Sequence, residues 1–202
     1  MFQVSANWKA TLPDAHVGVL AMRDVENPSS HAELEQRKSA LEQELRARYA
    51  GQDRAALNQL PVLQAYAAYY RRFKKTYHVQ LQLESIVFKD KAIPRVAALV
   101  EAMFMAEIKN LLLTAGHDLN ALQLPLTLDS AQGEERYTLL RGQEQVLKTG
   151  DMFIRDGAGV ISSILYGPDQ RTAINPQTRH VIFTTYAPAG IAVETVRSHL
   201  QD

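Results

Sequence analysis

The residues able to do chemistry in this chain fall into short polar groups set among apolar stretches. His117 and Asp118 are adjacent, a base beside a carboxylate that could orient it. Neighbours in sequence seldom turn their side chains toward one another, so a turn-forming aspartate next to a partly exposed histidine is the competing reading. Glu134 and Glu135 follow Gly133 in a tight turn, where one could reach into a cleft or both could solvate a hairpin. From Gly150 to Thr172, two short apolar strand candidates are joined by an Asp156-Gly157 turn and lead into a polar loop. There Asp169 and Arg171 stand two apart with Thr172 following, a spacing that lets the pair grip a substrate carboxylate or amine and equally lets it close as a structural salt bridge. Ser162 and Ser163 end an apolar run with no Gly-x-Ser-x-Gly elbow around them, so serine-hydrolase chemistry is not indicated.

Histidines stand at positions 16, 31, 78, 117, 180 and 199, and none forms a His-Glu-x-x-His pattern or a close cluster with carboxylates. With no cysteine in the chain, neither a thiolate metal site nor a disulfide framework can form, and no metal is expected. No glycine-rich phosphate loop occurs, so neither ATP nor a dinucleotide is expected and no cofactor is assigned.

A basic group lies between Gln64 and Gln80: Arg71, Arg72, Lys74 and Lys75, without an acid, interleaved with Tyr66, Tyr69, Tyr70, Phe73 and Tyr77. Aromatic spacings near three and four suit the packed face of a helix with the cations on its wet side. The same composition suits contact with RNA, phosphates on the cations and bases on the rings. Acidic and basic residues balance at 22 each, against a chain that grips nucleic acid over its whole surface, and no DNA partner is expected. The first residues lack a basic region followed by an apolar run, and no stretch approaches the roughly 18 apolar residues of a membrane span. A cytoplasmic protein with no membrane partner is the expectation.

The elements that must hold these groups can be read from periodicity. At 202 residues the chain suits a single domain with a substantial core. Val4 to Trp8 reads as an edge strand and His16 to Met22 as a more buried one. Ser30 offers an N-cap with Glu33 completing a capping box, and the helix from Ala32 to Tyr49 carries four-apart pairs Glu33 with Arg37, Glu42 with Arg46 and Glu44 with Arg48. A second helix is expected from Val62 to Lys75 behind Pro61, and a third from Pro94 to Leu113, stopped by Thr114-Ala115-Gly116. Beyond it the period becomes that of strands: Leu122 to Leu128, Arg136 to Leu140, Met152 to Arg155, Val160 to Leu165 and Val181 to Tyr186. A terminal helix spans Ala189 to Leu200. The organisation is α+β, a helical first half packed on a strand-rich, β-sandwich-like second half.

The order of these pieces from about residue 60 to 187 resembles the B3/B4 domain of the phenylalanyl-tRNA synthetase β subunit, in its free-standing form. The resemblance rests on Gly116-His117-Asp118-Leu119-Asn120, the Gly133-Glu134 turn, Leu140-Arg141-Gly142, the Asp151 to Asp156 stretch and the loop Tyr166-Gly167-Pro168-Asp169-Gln170-Arg171-Thr172. That loop is similar to the Arg-x-Asp-x-x-Arg-Thr type in keeping an Asp and an Arg-Thr pair, here one residue closer together, and lacks the earlier arginine. A second departure is that Ala115 stands where the synthetase form has histidine, while His117 occupies its aromatic position. The resemblance implies a single domain that hydrolyses a mischarged aminoacyl-tRNA in trans, an oriented water attacking the ester while a positive group or amides hold the oxyanion. On that reading Glu134, His117 and Asp118 are the catalytic candidates, and Gly116, Ser162, Ser163, Asp169, Arg171 and Thr172 surround the substrate. The alternative is a module that binds an amino acid, a small aromatic compound or an RNA end without chemistry. A third is a structural partner using the first helices.

Overall fold

The computed structural model describes residues 2–202. The chain opens with β1 (Phe2–Val4), α1 (Ala6–Thr11) and β2 (His16–Met22), then runs through α2 (Ala32–Arg48), α3 (Arg54–Leu57), α4 (Pro61–Arg71), α5 (His78–Val87) and α6 (Ala98–Asn110). The strands β3 (Thr114–Asp118), β4 (Leu126–Ser130), β5 (Arg136–Thr138), β6 (Glu144–Val146), β7 (Met152–Asp156), β8 (Gly159–Ser163), β9 (Gly167–Pro168) and β10 (Val181–Ala187) come next, before a last helix, α7 (Val193–His199). The larger sheet has the order β1-β4-β7-β8-β9, with β1 parallel to β4 and the other pairs antiparallel. A second, fully antiparallel sheet has the order β2-β10-β3, and β5 pairs with β6 as a separate hairpin. The two larger sheets touch through Tyr186 of β10, whose hydroxyl lies 2.7 Å from Ser162 Oγ on β8. The class is α+β, and both larger sheets are completed by strands from the N-terminal segment.

Several elements differ from the sequence reading, each for a local or packing reason. The stretch expected as one strand from Val4 to Trp8 divides at Ser5, whose hydroxyl accepts the Trp8 N–H at 2.9 Å and so starts α1. α2 is capped by His31 rather than Ser30, its Nδ1 accepting the Leu34 N–H at 3.3 Å. The expected helix to Lys75 ends at Arg71, because Lys74 takes a positive φ of 56° that a helix cannot hold. A further helix, α5, succeeds it. α6 stops at Leu111, left-handed at φ 61°, so Thr114-Ala115-Gly116 is not its cap but the start of β3. Gly116 serves that strand by its missing side chain: a Cβ there would lie 2.7 Å from Ile174 Cδ1 and 3.0 Å from Phe183 Cε1.

The aromatic spacings of the basic segment resolve into packing. Tyr66, Tyr69, Tyr70, Phe73 and Tyr77 are all buried, with Tyr66 and Tyr77 stacked at 4.1 Å between centroids. Their hydroxyls bind α4 and α5 to the rest of the core: Tyr66 donates to the Tyr186 carbonyl, Tyr70 to that of Ile164 at 2.5 Å and Tyr77 to that of Leu111 at 3.0 Å. α2 is fastened to α6 by Lys38, buried and 2.8 Å from the buried Glu101. The main core runs continuously from these helices into both sheets. Among the described residues no helix is long and apolar enough to cross a membrane.

Candidate functional site

The loop after β9 is stitched to three elements at once. Asp169 N–H donates to Ile161 O of β8 at 2.7 Å, Gln170 N–H to Thr138 O of β5 at 2.9 Å, and Asp118 N–H of β3 to Thr172 O at 2.8 Å. Asp169 closes the loop on itself, one carboxylate oxygen accepting the Thr172 N–H at 3.0 Å and the Thr172 hydroxyl. An aspartate two or three residues ahead of a free amide makes this local bond readily. Burial raises the Asp169 carboxyl above the usual aspartate range, against the pull of the Thr172 groups and Arg171.

Thr172 links this loop to His117. Its Oγ1 lies 2.7 Å from His117 Nδ1, and because its single proton goes to Asp169 it must accept from the ring. The tautomer is therefore Nδ1–H, which leaves a lone pair on Nε2. That nitrogen is buried and has no hydrogen-bond partner. His117 is 0% exposed, and burial holds its pKa down to about 3, Asp156 pulling upward and Arg171 downward. The imidazole is neutral at any ordinary pH.

Arg171 closes the other side. Its guanidinium lies 2.8 Å from Asp156 Oδ1 and 3.6 Å from Asp169 Oδ2, and donates to the Ala121 carbonyl at 2.9 Å. Asp156 also accepts the N–H groups of Gln123, Ala158 and Gly159, so one buried carboxylate holds both the β7–β8 turn and the arginine. The arginine side chain is still 37% exposed, which leaves it within reach of a ligand. Beside it lies an open groove of about 480 Å³, walled by Arg136, Tyr137 and Thr138 of β5, Gly159 at the start of β8, and Asp169 and Arg171. Tyr137 is fixed in that wall by a hydroxyl donated to Gly167 O at 2.8 Å. Pockets of some hundreds of cubic ångströms with a few fixed polar groups are what small-molecule recognition uses.

The structure thus brings the side chains of Asp169, Arg171, Thr172 and His117 into one network and gives the remaining candidates other partners. Asp118 is occupied as a turn anchor, accepting from Asn120 N–H at 2.9 Å and Thr178 Oγ1 at 2.7 Å. Glu134 is exposed at the tip of the turn, where the neighbouring Glu135 carboxylate accepts the N–H groups of Gln132 and Gly133. Gly116 packs against Ile174 and Phe183, Ser162 faces Tyr186, and Ser163 Oγ accepts the Tyr166 N–H at 3.2 Å. Arg71, Arg72 and Lys74 are exposed, and Lys75 Nζ lies 4.5 Å over the Tyr166 ring. Tyr166 packs on the small cluster that contains Tyr137, so the basic segment and the groove flank one cluster. Among the described residues no group of three or more histidines and carboxylates could hold a metal ion.

Residues that the spacing of polar groups did not single out also shape this region. Asp156 was readable only as a turn former, since Asp-Gly turns are common and its arginine lies fifteen residues on. Tyr137 and Arg136 sit in an ordinary alternating strand, with nothing local to mark them. Asp151 is fully buried beneath the basic segment, one oxygen accepting the Tyr69 hydroxyl at 3.1 Å and the other without a partner. Burial pushes its pKa up to about 7 against the neighbouring Ser163 and Tyr69 hydroxyls.

A family model described as the B3/4 domain matches residues 62–201. A phenylalanine–tRNA ligase β subunit from Oleidesulfovibrio alaskensis is 35% identical over 89 residues, which is 40% of this chain and 11% of that protein. The chain therefore spans about a tenth of the length of that curated relative. Among solved structures, an N-terminal fragment of the phenylalanyl-tRNA synthetase β subunit from Pyrococcus horikoshii aligns with a TM-score of 0.45 and 11% identity, covering 99% of this chain and 48% of that one.

Proposed function

This chain belongs to the B3/4 domain family, and from that premise we propose that it recognises the aminoacylated end of a tRNA, or an amino-acid-like part of it, in the groove beside Asp169 and Arg171. The observation that carries this reading is the groove wall: an arginine held by Asp156 with Asp169 3.6 Å from it, beside a fixed tyrosine, over about 480 Å³. The Arg171 fork, backed by Asp156, presents positive charge to a carbonyl or phosphate oxygen. Asp169 and the Tyr137 ring face an amine and an apolar side chain. Because these groups are already oriented, little ordering free energy opposes binding.

Hydrolysis of the ester in trans is the second reading, and the partnerless Nε2 of His117 favours it. A neutral imidazole with a free lone pair is the right species to take a proton from an attacking water. In this conformation the ring is sealed behind Thr172, so the reading requires the Asp169–Thr172 loop to open. Glu134 and Asp118 take no part in it as placed, one lying in solvent and the other anchoring a turn.

Binding of charged and uncharged tRNA, together with release of labelled amino acid, tests both readings. Recognition predicts tighter binding of charged tRNA, weakened about tenfold by Asp169→Asn through loss of one charged contact. Equal affinity for charged and uncharged tRNA sinks it. Release above the spontaneous rate that survives Glu134→Ala and is lost in His117→Ala establishes hydrolysis.

A further inference from the structure

A second pocket, about 280 Å³, lies where the N-terminal segment meets α4. Leu12 and Pro13 form one wall, Ala65 and Ala68 of α4 another, and Met152 with Pro188 completes an apolar surround. Among the described residues, Arg72 and Asp14 bring the charges to this lining. The N-terminal wall precedes residue 62 and so lies outside the stretch matched by the family model.

Arg72 differs from the other cations of its segment. Its guanidinium carbon is 5.3 Å from the Tyr69 ring centroid and 5.4 Å from that of Phe73. Both rings are buried, and Tyr69 is pinned by donating to Asp151 and accepting the Met152 N–H at 2.7 Å. Gly150 leaves room for the guanidinium, since a Cβ there would come 3.3 Å from Arg72 Nη2. The guanidinium is thus laid against a rigid aromatic surface, and among the described residues no carboxylate pairs with it. An arginine oriented by stacking and lacking an acid keeps its N–H edge free for a ligand oxygen pair.

We propose that this pocket binds a small monocarboxylate with an apolar body, the carboxylate taken bidentately by Arg72 and the body lying between α4 and the loop from Leu12 to Ala15. A volume just below the ordinary range of roughly 300–1,000 Å³ limits the ligand to about a dozen non-hydrogen atoms. The exposed Asp14 carboxylate disfavours a second negative charge on the ligand. The site shares no residue with the groove at Asp169 and stands whether or not that groove binds aminoacylated tRNA.

Trp8 provides a built-in reporter: it is the only tryptophan, it is buried, and its carbonyl accepts the Leu12 N–H at 2.8 Å. The experiment titrates the full chain with phenylpropionate, benzylamine and inorganic phosphate, read by calorimetry and Trp8 fluorescence. Saturable binding of phenylpropionate at millimolar concentration or below is expected, with benzylamine and phosphate much weaker. Arg72→Gln should weaken phenylpropionate by about tenfold or more, the loss of a charge-assisted pair. Ala68→Phe, at an exposed helical position, should abolish binding by filling the pocket, and Arg71→Gln should leave it unchanged. Circular dichroism melting verifies that each variant is folded. No saturable phenylpropionate binding, unaltered affinity in folded Arg72→Gln, or phosphate binding as tight as phenylpropionate would each overturn the proposal.

Discussion

Thr172 has one hydroxyl proton, and its neighbours determine where that proton goes. It points to Asp169, which accepts it, the His117 Nδ1–H donates to the same oxygen, and the chain ends at a buried nitrogen with no partner. Thr172→Val keeps the shape but strands the His117 N–H and weakens the hold on Asp169, so a loss of about 2 kcal/mol or more is expected in urea unfolding, with Thr172→Ser recovering most of it. Buried ionisable groups shape the pH profile in both directions. Burial raises Glu107 from 4.5 to about 8, opposed by the Thr114 N–H, so its folded state binds a proton more tightly than the unfolded chain. Its contribution is complete below pH 4.5 and declines as pH rises toward 8, by about 1.4 kcal/mol per pH unit. Glu107→Gln should remove that slope from stability measured across this window, while Asp151, raised to about 7, still acts in the same direction. At the acid end, burial lowers His117 to about 3 and His78 and His199 to about 4, so stability falls as pH drops below 6.5.

At the scale of elements, α4 and the turn after it present cations to solvent and aromatics to the core. If Arg71 and Lys74 meet RNA phosphates, reversing both to glutamate lowers the slope of log affinity against log salt by roughly 0.7 to 0.9 per lost contact, with folding unchanged. An unaltered slope removes these two residues from the interface. The join between α2 and α6 behaves differently, because the Lys38–Glu101 pair is buried at 2.8 Å. Glu101→Ala leaves the Lys38 ammonium only Glu35, 3.0 Å away, and strands the Val96 N–H, so it should cost about 1–3 kcal/mol in urea unfolding. The four-apart pairs of α2 are legible in the sequence because that geometry is local: Glu33 with Arg37 and Glu44 with Arg48 meet at 2.7 and 2.5 Å. Gly116 is not, since a glycine after a helical run reads as a cap and only pairing with Phe183 of β10 makes it a strand residue.

Over the whole molecule, both larger sheets take a strand from the N-terminal segment, β1 beside β4 and β2 beside β10. Trp8, Leu41 and Leu45 belong to the same core as Ile154 and Tyr186. A fragment of residues 62–201, although it spans the family-matched stretch, should therefore lack a cooperative urea transition, whereas the full chain should show a single one by fluorescence and circular dichroism together. Two separate transitions in the full chain would show that the segments fold independently.

Relations between neighbours along the chain were enough to set the α+β class, the helix α2 with its four-apart charge pairs, the strands around Met152 and Val181, and the polar loop that carries Asp169 and Arg171. Periodicity and turn chemistry act over a few residues, and those elements obey them. Folding in three dimensions was needed to hold Arg171 against Asp156, to have the Thr172 hydroxyl donate to Asp169 and accept from His117, and to leave Glu134 in solvent. It also buried the tyrosines of the basic segment while laying Arg72 against two of the aromatic rings. Those outcomes depend on contacts between residues far apart in sequence, where burial and hydrogen bonding, rather than spacing, select the partner.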